Sequence, residues 1–557
     1  MKNKTGSYKL LVTASVVISF ILIGYPILII FLKSLSGGLS NYIDVFTDPK
    51  NLVALKNSLF LAIVGTLGST LIGCFLAWLV SRTKVWFPGI IEGLLKIQFF
   101  IPPFISALAW QQLIGPVGII NKWYMQLTGG TDPLFNIYGQ WGILFVFIIS
   151  GSVSVYMVVI DSFRKMQASL EEAAVITGAS TLQVFKDITL PVLKPSILSA
   201  MLMVFMSHMS NYGVPSVLGF HVGYYTLTTR IYGVVQDLTI TNNMEVAATL
   251  SMLLVFFAVL TLILKEKMVS GKSFAVVTGK SEHLTQHSLG AFNGILSAAA
   301  MLYGMVISIA PVLAILATSL TQAYGIPFSF SNMTLRHYET VLFNLSSFQR
   351  ALGNSVFLAL AAACIAVVLA LVTSYICVMT DFKFKRQLEM LITLPSSIPG
   401  TVMAIAIILA WIKPIPVLNV SIYNTLWIIL IAYVANYTAQ AFRAISGGLY
   451  QIAPALEEAA EISGAGLGKR LVDIIVPVMK QSITTAWFLI FIPCLRELTL
   501  SIFLWSAGTE TLATVIFTLQ DAGNYPASSA LSIIIIAMIF VLNYLSSFLT
   551  RDKKQTI

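Results

Sequence analysis

The chain has 557 residues, of which 57% are hydrophobic and only 10% are charged, and its formal net charge is +10. A soluble domain carries roughly 25% charged residues, so this composition excludes a soluble globular protein and indicates one that is solvated largely by lipid. The basic residues lie in short loops between apolar runs, which argues against nucleic-acid binding.

Twelve apolar runs follow one another along the chain, each near the length of about 20 residues that a membrane-spanning helix needs. The first run is too long for the hydrophobic region of a signal peptide, so we expect it to be retained. The predicted spans of the first half are residues 10–32, 58–80, 89–114, 140–160, 197–217 and 245–264. Those of the second half are residues 292–318, 355–379, 389–411, 424–443, 484–505 and 528–549.

Basic residues mark every second loop. They are Arg82 and Lys84, Arg164 and Lys165, Lys265 and Lys267, Lys383 and Lys385, Lys469 and Arg470, and finally Arg551, Lys553 and Lys554. All of these loops are cytoplasmic if the N-terminus is cytoplasmic, as the positive-inside rule requires. The sequence therefore predicts a multi-pass protein with both termini in the cytoplasm.

The two halves of the chain repeat each other. The segment EEAAVITGASTLQVFKDITLPVLKPSI, from Glu171, matches EEAAEISGAGLGKRLVDIIVPVMKQSI, from Glu457, at an offset of 286 residues. Upstream, NSLFLA from Asn57 matches NSVFLA from Asn354 at an offset of 297. The offset drops between the third and fourth spans, in an external loop, where insertions are tolerated.

Each half holds an even number of spans, so the two halves form a parallel repeat. We predict an all-α integral membrane protein of about twelve spans in two tandem six-helix repeats. Residues 1–264 form the first half, residues 265–290 a polar cytoplasmic linker, and residues 291–557 the second half.

The linker contains Gly271-Lys272-Ser273 and Gly279-Lys280-Ser281, which look like the end of a phosphate-binding loop. That motif needs a glycine five residues earlier, where this chain has Glu266 and Phe274. We therefore expect no nucleotide site in this chain. The sequence also lacks the HExxH and GxSxG patterns of intramembrane enzymes, so we expect a protein that is not itself an enzyme.

The repeated segment lies between the fourth and fifth spans of each half, in a cytoplasmic loop. Glu171 and Glu172 put acid into the first turn of a short helix. Gly178 permits a sharp turn, and residues 182–188 form a second helix that Pro191 ends or bends. Two such devices at the same topological position indicate docking sites for two equivalent partners.

Both copies resemble the Glu-Ala-Ala loop of ABC importer permeases. In the first copy the matching residues are Glu172, Ala173, Ala174, Gly178, Ile188, Leu190 and Pro191. In the second copy they are Glu458, Ala459, Ala460, Gly464, Ile474, Val476 and Pro477, with valine where leucine is usual. The resemblance implies a type I importer in the bacterial cytoplasmic membrane. In that family each loop forms a coupling helix in a cleft of one ATPase subunit, and a solute-binding protein delivers the substrate from outside.

Ionisable groups inside spans are costly and are usually functional. Arg496 and Glu497 lie in the predicted eleventh span, and the aligned stretch of the first half contains His208, Asn211 and Tyr212. The two clusters either line the substrate pathway or form an interhelical network that only fixes packing. The sequence leaves both interpretations open.

The stretches GYYTLTTRIY, RELTLS and TETLATVIFTLQDAGNYPASSALS are similar to those of the ferric-iron importer group. That group in turn resembles permeases for thiamine, aminoethylphosphonate, sugar phosphates and polyamines. Neither a carboxylate–tyrosine cluster for ferric iron nor a metal-ligand spacing of histidines is evident, so we expect no metal site. A secondary transporter would also suit twelve spans in two parallel halves, but it would not need two Glu-Ala-Ala loops.

Overall fold

The computed structural model describes residues 6–166, 168–269, 289–290, 292–326, 329–415 and 419–550. The regular structure of these residues is helical, apart from an isolated antiparallel bridge between Thr321 and Met333. The predicted all-α class is therefore confirmed. Most of the predicted linker and both chain ends lie outside the described residues.

Ten helices of the described residues are long and apolar enough to cross a membrane, and two bent helix pairs raise the number to at most twelve. The ten are Tyr8–Ser34, Pro49–Arg82, Pro103–Thr128, Gln140–Lys165, Phe185–Met209, Asn243–Met268, Phe292–Leu320, Ser346–Met379, Leu426–Leu449 and Tyr525–Thr550. The bent pairs are Lys385–Ser397 with Gly400–Trp411, at 114°, and Leu467–Val478 with Lys480–Leu495, at 80°.

Four predicted spans are interrupted rather than single helices. The ninth is the pair Lys385–Ser397 and Gly400–Trp411, bent by 114°. The third consists of the helices Pro88–Phe100 and Pro103–Ile114. Ile101 between them is extended, as the residue before a proline prefers. The fifth ends at Met209 and the eleventh at Leu495, and each is followed by a short separate helix.

Packing divides the chain into two compact units that do not follow the repeat. One unit comprises Met1–Val45, Ile231–Val255 and Arg336–Ile557, and the other comprises Phe46–Arg230 and Phe256–Leu335. The first unit thus combines the first span with most of the second half. The other combines the first span of the second half with most of the first half.

Specific contacts hold these exchanged spans in place. Within the first of these units, the ring of Tyr25 lies edge-on to that of Trp411, with centroids 5.7 Å apart. Within the second, Ser308 of helix Phe292–Leu320 donates a hydrogen bond to the carbonyl of Leu94. The first span of each half therefore packs on the third span of the other half.

The second and fourth spans of each half pack closely along their length. In the first half, the Oγ atom of Ser69 donates to the carbonyl of Phe147 at 3.3 Å. A Cβ atom added at Gly73 would lie 2.5 Å from the carbonyl oxygen of Ser152, so only glycine fits there. Small residues allow such close approach of membrane helices. The fourth span of each half, fixed in this way, leads directly into a Glu-Ala-Ala loop.

Candidate functional site: the two Glu-Ala-Ala loops

The first Glu-Ala-Ala loop begins with the short helix Ala168–Ile176. Gly178 follows it with φ +90°, the left-handed conformation that glycine favours. The amide of Gly178 donates to the carbonyl of Val175, and that of Ala179 to the carbonyl of Ala174, both at 3.0 Å. These two bonds form a Schellman motif. The predicted glycine turn is therefore present, and the second alanine of the motif takes part in it.

The chain after the turn is helical into the membrane. The helix Thr181–Val184 is followed by a π-helical turn, Phe185–Thr189, and by the helix Leu190–Met209. The expectation that Pro191 ends or bends the second helix is wrong for this copy, since the helix continues through it. A proline lacks an amide hydrogen and crowds the preceding turn, and the wider π turn just before it accommodates both defects.

A buried charged group anchors the first loop to the spans. The Oε2 atom of Glu171, which is 3% exposed, lies 3.6 Å from Nη1 of Arg82, the last residue of the second span. Its Oε1 atom accepts a hydrogen bond of 2.6 Å from Thr189. Arg82 also donates to the carbonyls of Phe163 and Met166, both at 3.0 Å. Because a buried charge is stable only when paired, this group fixes the loop to the ends of the second and fourth spans.

The second Glu-Ala-Ala loop has the same turn. The helix Pro454–Ile462 is followed by Gly464 with φ +80°. The amide of Ala465 donates to the carbonyl of Ala460 at 3.0 Å, as Ala179 does in the first copy. Pro477 is the second-last residue of the helix Leu467–Val478, and the chain bends by 80° between this helix and Lys480–Leu495. The predicted bend is therefore confirmed in this copy.

The second loop anchors the equivalent glutamate with different partners. Glu457 accepts a hydrogen bond from the hydroxyl of Tyr375, on the second span of its half. Its Oε1 atom also lies 3.4 Å from Nη1 of Arg470, which belongs to the loop itself. The repeat places Val184 and Trp78 at the corresponding positions of the first half. Each half therefore keeps the anchored glutamate but uses its own cation.

The residues predicted to meet an ATPase lie largely on the surface of the loops. The exposed ones are Glu172, Ala173, Gly178, Glu458, Ala459 and Gly464. Ala174 is half-buried and Ala460 is buried, and the carbonyl of each accepts a hydrogen bond from the turn. The sequence did not indicate that the adjacent glutamates, Glu171 and Glu457, anchor the loops to other parts of the chain.

Sequence reasoning also overlooked a repeated apolar surface. Ile176 is 84% exposed and Ile462, its counterpart in the repeat, is 87% exposed. Leu170 and Leu456, another equivalent pair, are 46% and 49% exposed. An exposed apolar patch typically marks an interaction site. The signal was the recurrence of leucine and isoleucine at equivalent positions of the two loops.

The predicted pathway residues of the first half lie at the break after the fifth span. His208 is 6% exposed and stacks on Phe147, with ring centroids 4.5 Å apart. Tyr212 is fully buried. The side chain of Asn211 accepts a hydrogen bond of 2.9 Å from the amide of Val214 and so caps the next short helix.

The predicted pathway residues of the second half lie at the equivalent break. Arg496 and Glu497 were placed inside the eleventh span, which is wrong because that helix ends at Leu495. The carboxylate of Glu497 accepts hydrogen bonds from the amides of Leu500 and Ser501, at 2.8 and 3.2 Å, and starts a new helical turn. Glu497 and Asn211 thus cap equivalent breaks, and pathway lining by either cluster stays a prediction.

Comparison with known proteins agrees with this architecture. Residues 69–265 and 366–551 each match the family model of the binding-protein-dependent transport system inner membrane component. The ferric transport system permease protein FbpB of Actinobacillus pleuropneumoniae is 26% identical over 538 residues, which are 95% of this chain and 76% of that protein. The Fe(3+)-transport system permease protein FbpB 2 of Haemophilus influenzae is 23% identical over 531 residues, 93% of this chain and 94% of that protein.

A shorter relative aligns with one half of the chain. The sulfate transport system permease protein CysW of Escherichia coli strain K12 is 26% identical over 268 residues, which are 47% of this chain and 88% of that protein. The two family matches together cover more than half of the chain and fall one in each repeat. The protein therefore belongs to the family of inner membrane components of binding-protein-dependent transport systems, with two such components fused in one chain.

Proposed function

We propose that this chain forms the whole transmembrane permease of an ATP-driven importer. Each Glu-Ala-Ala loop docks one separate ATPase subunit, and a solute-binding protein delivers the substrate on the opposite side of the membrane. The observation that carries this proposal is the exposed isoleucine at the same position of both loops, Ile176 and Ile462. A loop exposed to water has no reason to repeat a large apolar residue unless a partner covers it.

The contacts that anchor the loops explain how a movement of the ATPase subunits could reach the membrane spans. The buried pair of Glu171 and Arg82 ties the first loop to the second and fourth spans. Glu457 ties the second loop to the second span of its half through Tyr375. A movement of the ATPase subunits is therefore passed to the spans rather than absorbed by a flexible loop. Movement of packed rigid elements is the usual way in which such access changes are made.

We propose ferric iron as the substrate. Two relatives that align with nearly the whole chain carry ferric transport in their names. Thiamine, phosphonates, sugar phosphates and polyamines are the alternatives within the same class of importer. The ATPase sites lie on the partner subunits, and both chain ends lie in the cytoplasm with the Glu-Ala-Ala loops.

Uptake into proteoliposomes tests the proposal. The permease is reconstituted with its ATPase and binding protein, and uptake of ⁵⁵Fe(III) is followed with and without ATP. The double variant with Ile176→Asp and Ile462→Asp should lose co-purification of the ATPase and uptake, whereas the double variant with Ile176→Met and Ile462→Met should retain both. Uptake that needs no ATP, or full association of the double aspartate variant, would refute the proposal. ATP-dependent uptake of another class of substrate, without uptake of iron, would refute ferric iron as the substrate but not the importer function.

A further inference from the structure

The repeated Asn-Ser pair near the start of each second span makes contacts that the function above does not use. In the first half, Nδ2 of Asn57 donates to the carbonyl of Tyr225 at 2.9 Å. The Oγ atom of Ser58 accepts a hydrogen bond of 2.7 Å from the amide of Leu227. Ser58 and Leu227 are buried, at 4% and 0% exposure. The pair therefore holds the backbone of the segment that follows the broken fifth span.

The second half repeats these contacts atom for atom. Nδ2 of Asn354 donates to the carbonyl of Glu510 at 2.9 Å. The Oγ atom of Ser355 accepts a hydrogen bond of 2.9 Å from the amide of Leu512. The contacted stretches, TLTT from Thr226 and TLAT from Thr511, match at an offset of 285 residues, which makes Tyr225 equivalent to Glu510 and Leu227 equivalent to Leu512. Two independent occurrences in one chain show that the clamp is a feature of the fold.

The clamped backbone is the start of a short helix in both halves. The amide of Thr226 donates to Oγ1 of Thr229 at 2.9 Å, just before the helix Leu227–Gln236. The amide of Thr511 donates to Oγ1 of Thr514 at 2.9 Å, and the two residues form a capping box. The Asn-Ser pair thus holds a pre-formed helix start and not a loose loop.

An ion pair reinforces the clamp in each half, with its charges reversed. In the first half, the acid is Asp48, at the N-terminus of the second span, and the base is Arg230, on the short helix. Nη2 of Arg230 lies 3.0 Å from Oδ2 of Asp48. In the second half, Arg350 lies on the second span and Glu510 on the clamped segment, with Nη2 and Oε1 3.3 Å apart. The same two elements are bridged with opposite polarity, so the contact between the elements matters more than either charge.

The charge of Glu510 is available for this role at neutral pH. Burial raises the pKa of its carboxyl group, but hydrogen bonds from Arg350 and from backbone amides outweigh that effect and hold the pKa below its usual range. The carboxylate is therefore ionised when it faces the guanidinium group.

The clamp reaches the break where the predicted pathway residues lie. In the first half, Oγ1 of Thr228 donates to the carbonyl of Asn211 at 2.9 Å. The chain of bonds thus runs from Ser58 through the amide of Leu227 and Thr228 to Asn211. The second span is one helix, Pro49–Arg82, with Arg82 beside the Glu-Ala-Ala loop at its other end. At 1.5 Å per residue, roughly 35 Å separate Ser58 from Arg82.

We infer that Asn57-Ser58 is a pair of positioning residues that makes the broken fifth span of the first half move with the far end of its second span. Asn354-Ser355 holds the equivalent segment in the second half, where Ala513 replaces Thr228 and the bond to the break is not repeated. A displacement of the Glu-Ala-Ala loop then reaches the break through one rigid helix and one clamp. The inference rests on the proposed transport function, but it predicts a defect that leaves the ATPase bound.

Serine variants test the clamp directly. Ser58→Ala and Ser355→Ala leave a buried amide without its acceptor, so hydrogen exchange of peptides covering 225–230 and 510–515 should rise by about tenfold. The maximal rate of ⁵⁵Fe(III) uptake should fall, while the binding-protein concentration for half-maximal uptake and co-purification of the ATPase stay unchanged. Ser58→Thr keeps the hydroxyl and should restore uptake. Ser81→Ala is the matched control, because the hydroxyl of Ser81 is also buried but bonds within its own helix, to the carbonyl of Ala77.

Charge reversal tests the link between the two elements. Arg350→Glu and Glu510→Arg should each lower the maximal uptake rate, and the double variant should recover most of it. Unchanged exchange and uptake in the serine variants, or no recovery in the double variant, would overturn the inference. Loss of the ATPase from the serine variants would also overturn it, because the defect would then lie in docking.

Discussion

Arg82 and Glu171 form an ion pair that is almost completely buried, with side-chain exposures of 1% and 4% and a distance of 3.6 Å between Nη1 and Oε2. One residue ends the second span and the other lies in the first Glu-Ala-Ala loop. The pair connects that loop to the C-terminal end of a helix of 34 residues. Of the two neighbouring glutamates of the loop, Glu171 is therefore buried in an ion pair, whereas Glu172 is exposed.

We predict that Glu171→Ala destabilises the protein by about 3–5 kcal/mol, because it leaves Arg82 buried without a counter-charge. Glu172 is exposed, so Glu172→Arg should change stability by less than about 0.5 kcal/mol and yet weaken ATPase association. Thermal unfolding in detergent and co-purification of the ATPase measure the two effects. Equal stability of the two variants would show that the ion pair of Glu171 and Arg82 does not stabilise the fold.

The turn glycines give a second prediction. Gly178 and Gly464 have φ +90° and +80°, and an added Cβ atom would meet nothing within 4 Å at either position. Gly178→Val and Gly464→Val should therefore cost about 1–3 kcal/mol of backbone strain alone. We expect normal amounts of protein in the membrane, with reduced ATPase association and uptake.

Gly468 provides the matched control within the second loop. It has equally open surroundings and no positive φ, so Gly468→Val should behave as the unmodified protein. Full association and uptake in both turn variants would show that the shape of these turns is not needed for coupling.

The carboxylate of Glu497 gives a third prediction, which separates its charge from its capping role. Glu497→Gln keeps an oxygen that accepts the amides of Leu500 and Ser501, so the short helix should persist. Glu497→Leu should lose the cap, at a cost of about 1 kcal/mol. We expect Glu497→Gln to impair uptake with the ATPase still bound. Normal uptake by this variant would favour the interpretation that the residue only fixes packing.

Membrane orientation gives a fourth prediction. Ser463 is exposed in the second Glu-Ala-Ala loop, and Thr131 is exposed in the loop after the third span. In a variant without the four native cysteines, Ser463→Cys should react with an impermeant maleimide only in inverted vesicles. Thr131→Cys should react only in intact cells or spheroplasts. The reverse pattern would invert the proposed topology.

Much of the architecture could be predicted from the sequence because hydrophobicity and glycine act locally. The apolar runs predicted the spans, because a helix in lipid needs about 20 apolar residues. The basic loops predicted the orientation, because positive residues stay on the cytoplasmic side. Gly178 and Gly464 were recognised because a left-handed turn tolerates few other residues. The breaks at Asn211 and Glu497 were missed because the apolar run continues past them, so hydrophobicity alone does not reveal that the helices end at Met209 and Leu495.

The anchors of the loops could not be read from the alignment of the two halves. Glu171 and Glu457 are equivalent, but their cations come from different places, Arg82 on a span and Arg470 in the loop. Because the two cations are not at equivalent positions, aligning the two halves does not pair Arg82 with Arg470. The exchange of first spans between the halves was hidden for a similar reason, since it depends on packing between residues far apart in sequence.

The central claim is that the two Glu-Ala-Ala loops of one chain serve two ATPase subunits. Native mass spectrometry of the complex purified from membranes measures this stoichiometry directly. The account predicts one copy of the 60.7 kDa chain with two ATPase subunits, and loss of one subunit when Ile176→Asp or Ile462→Asp is introduced alone. A complex with two copies of this chain, or one that keeps both ATPase subunits in each aspartate variant, would contradict it.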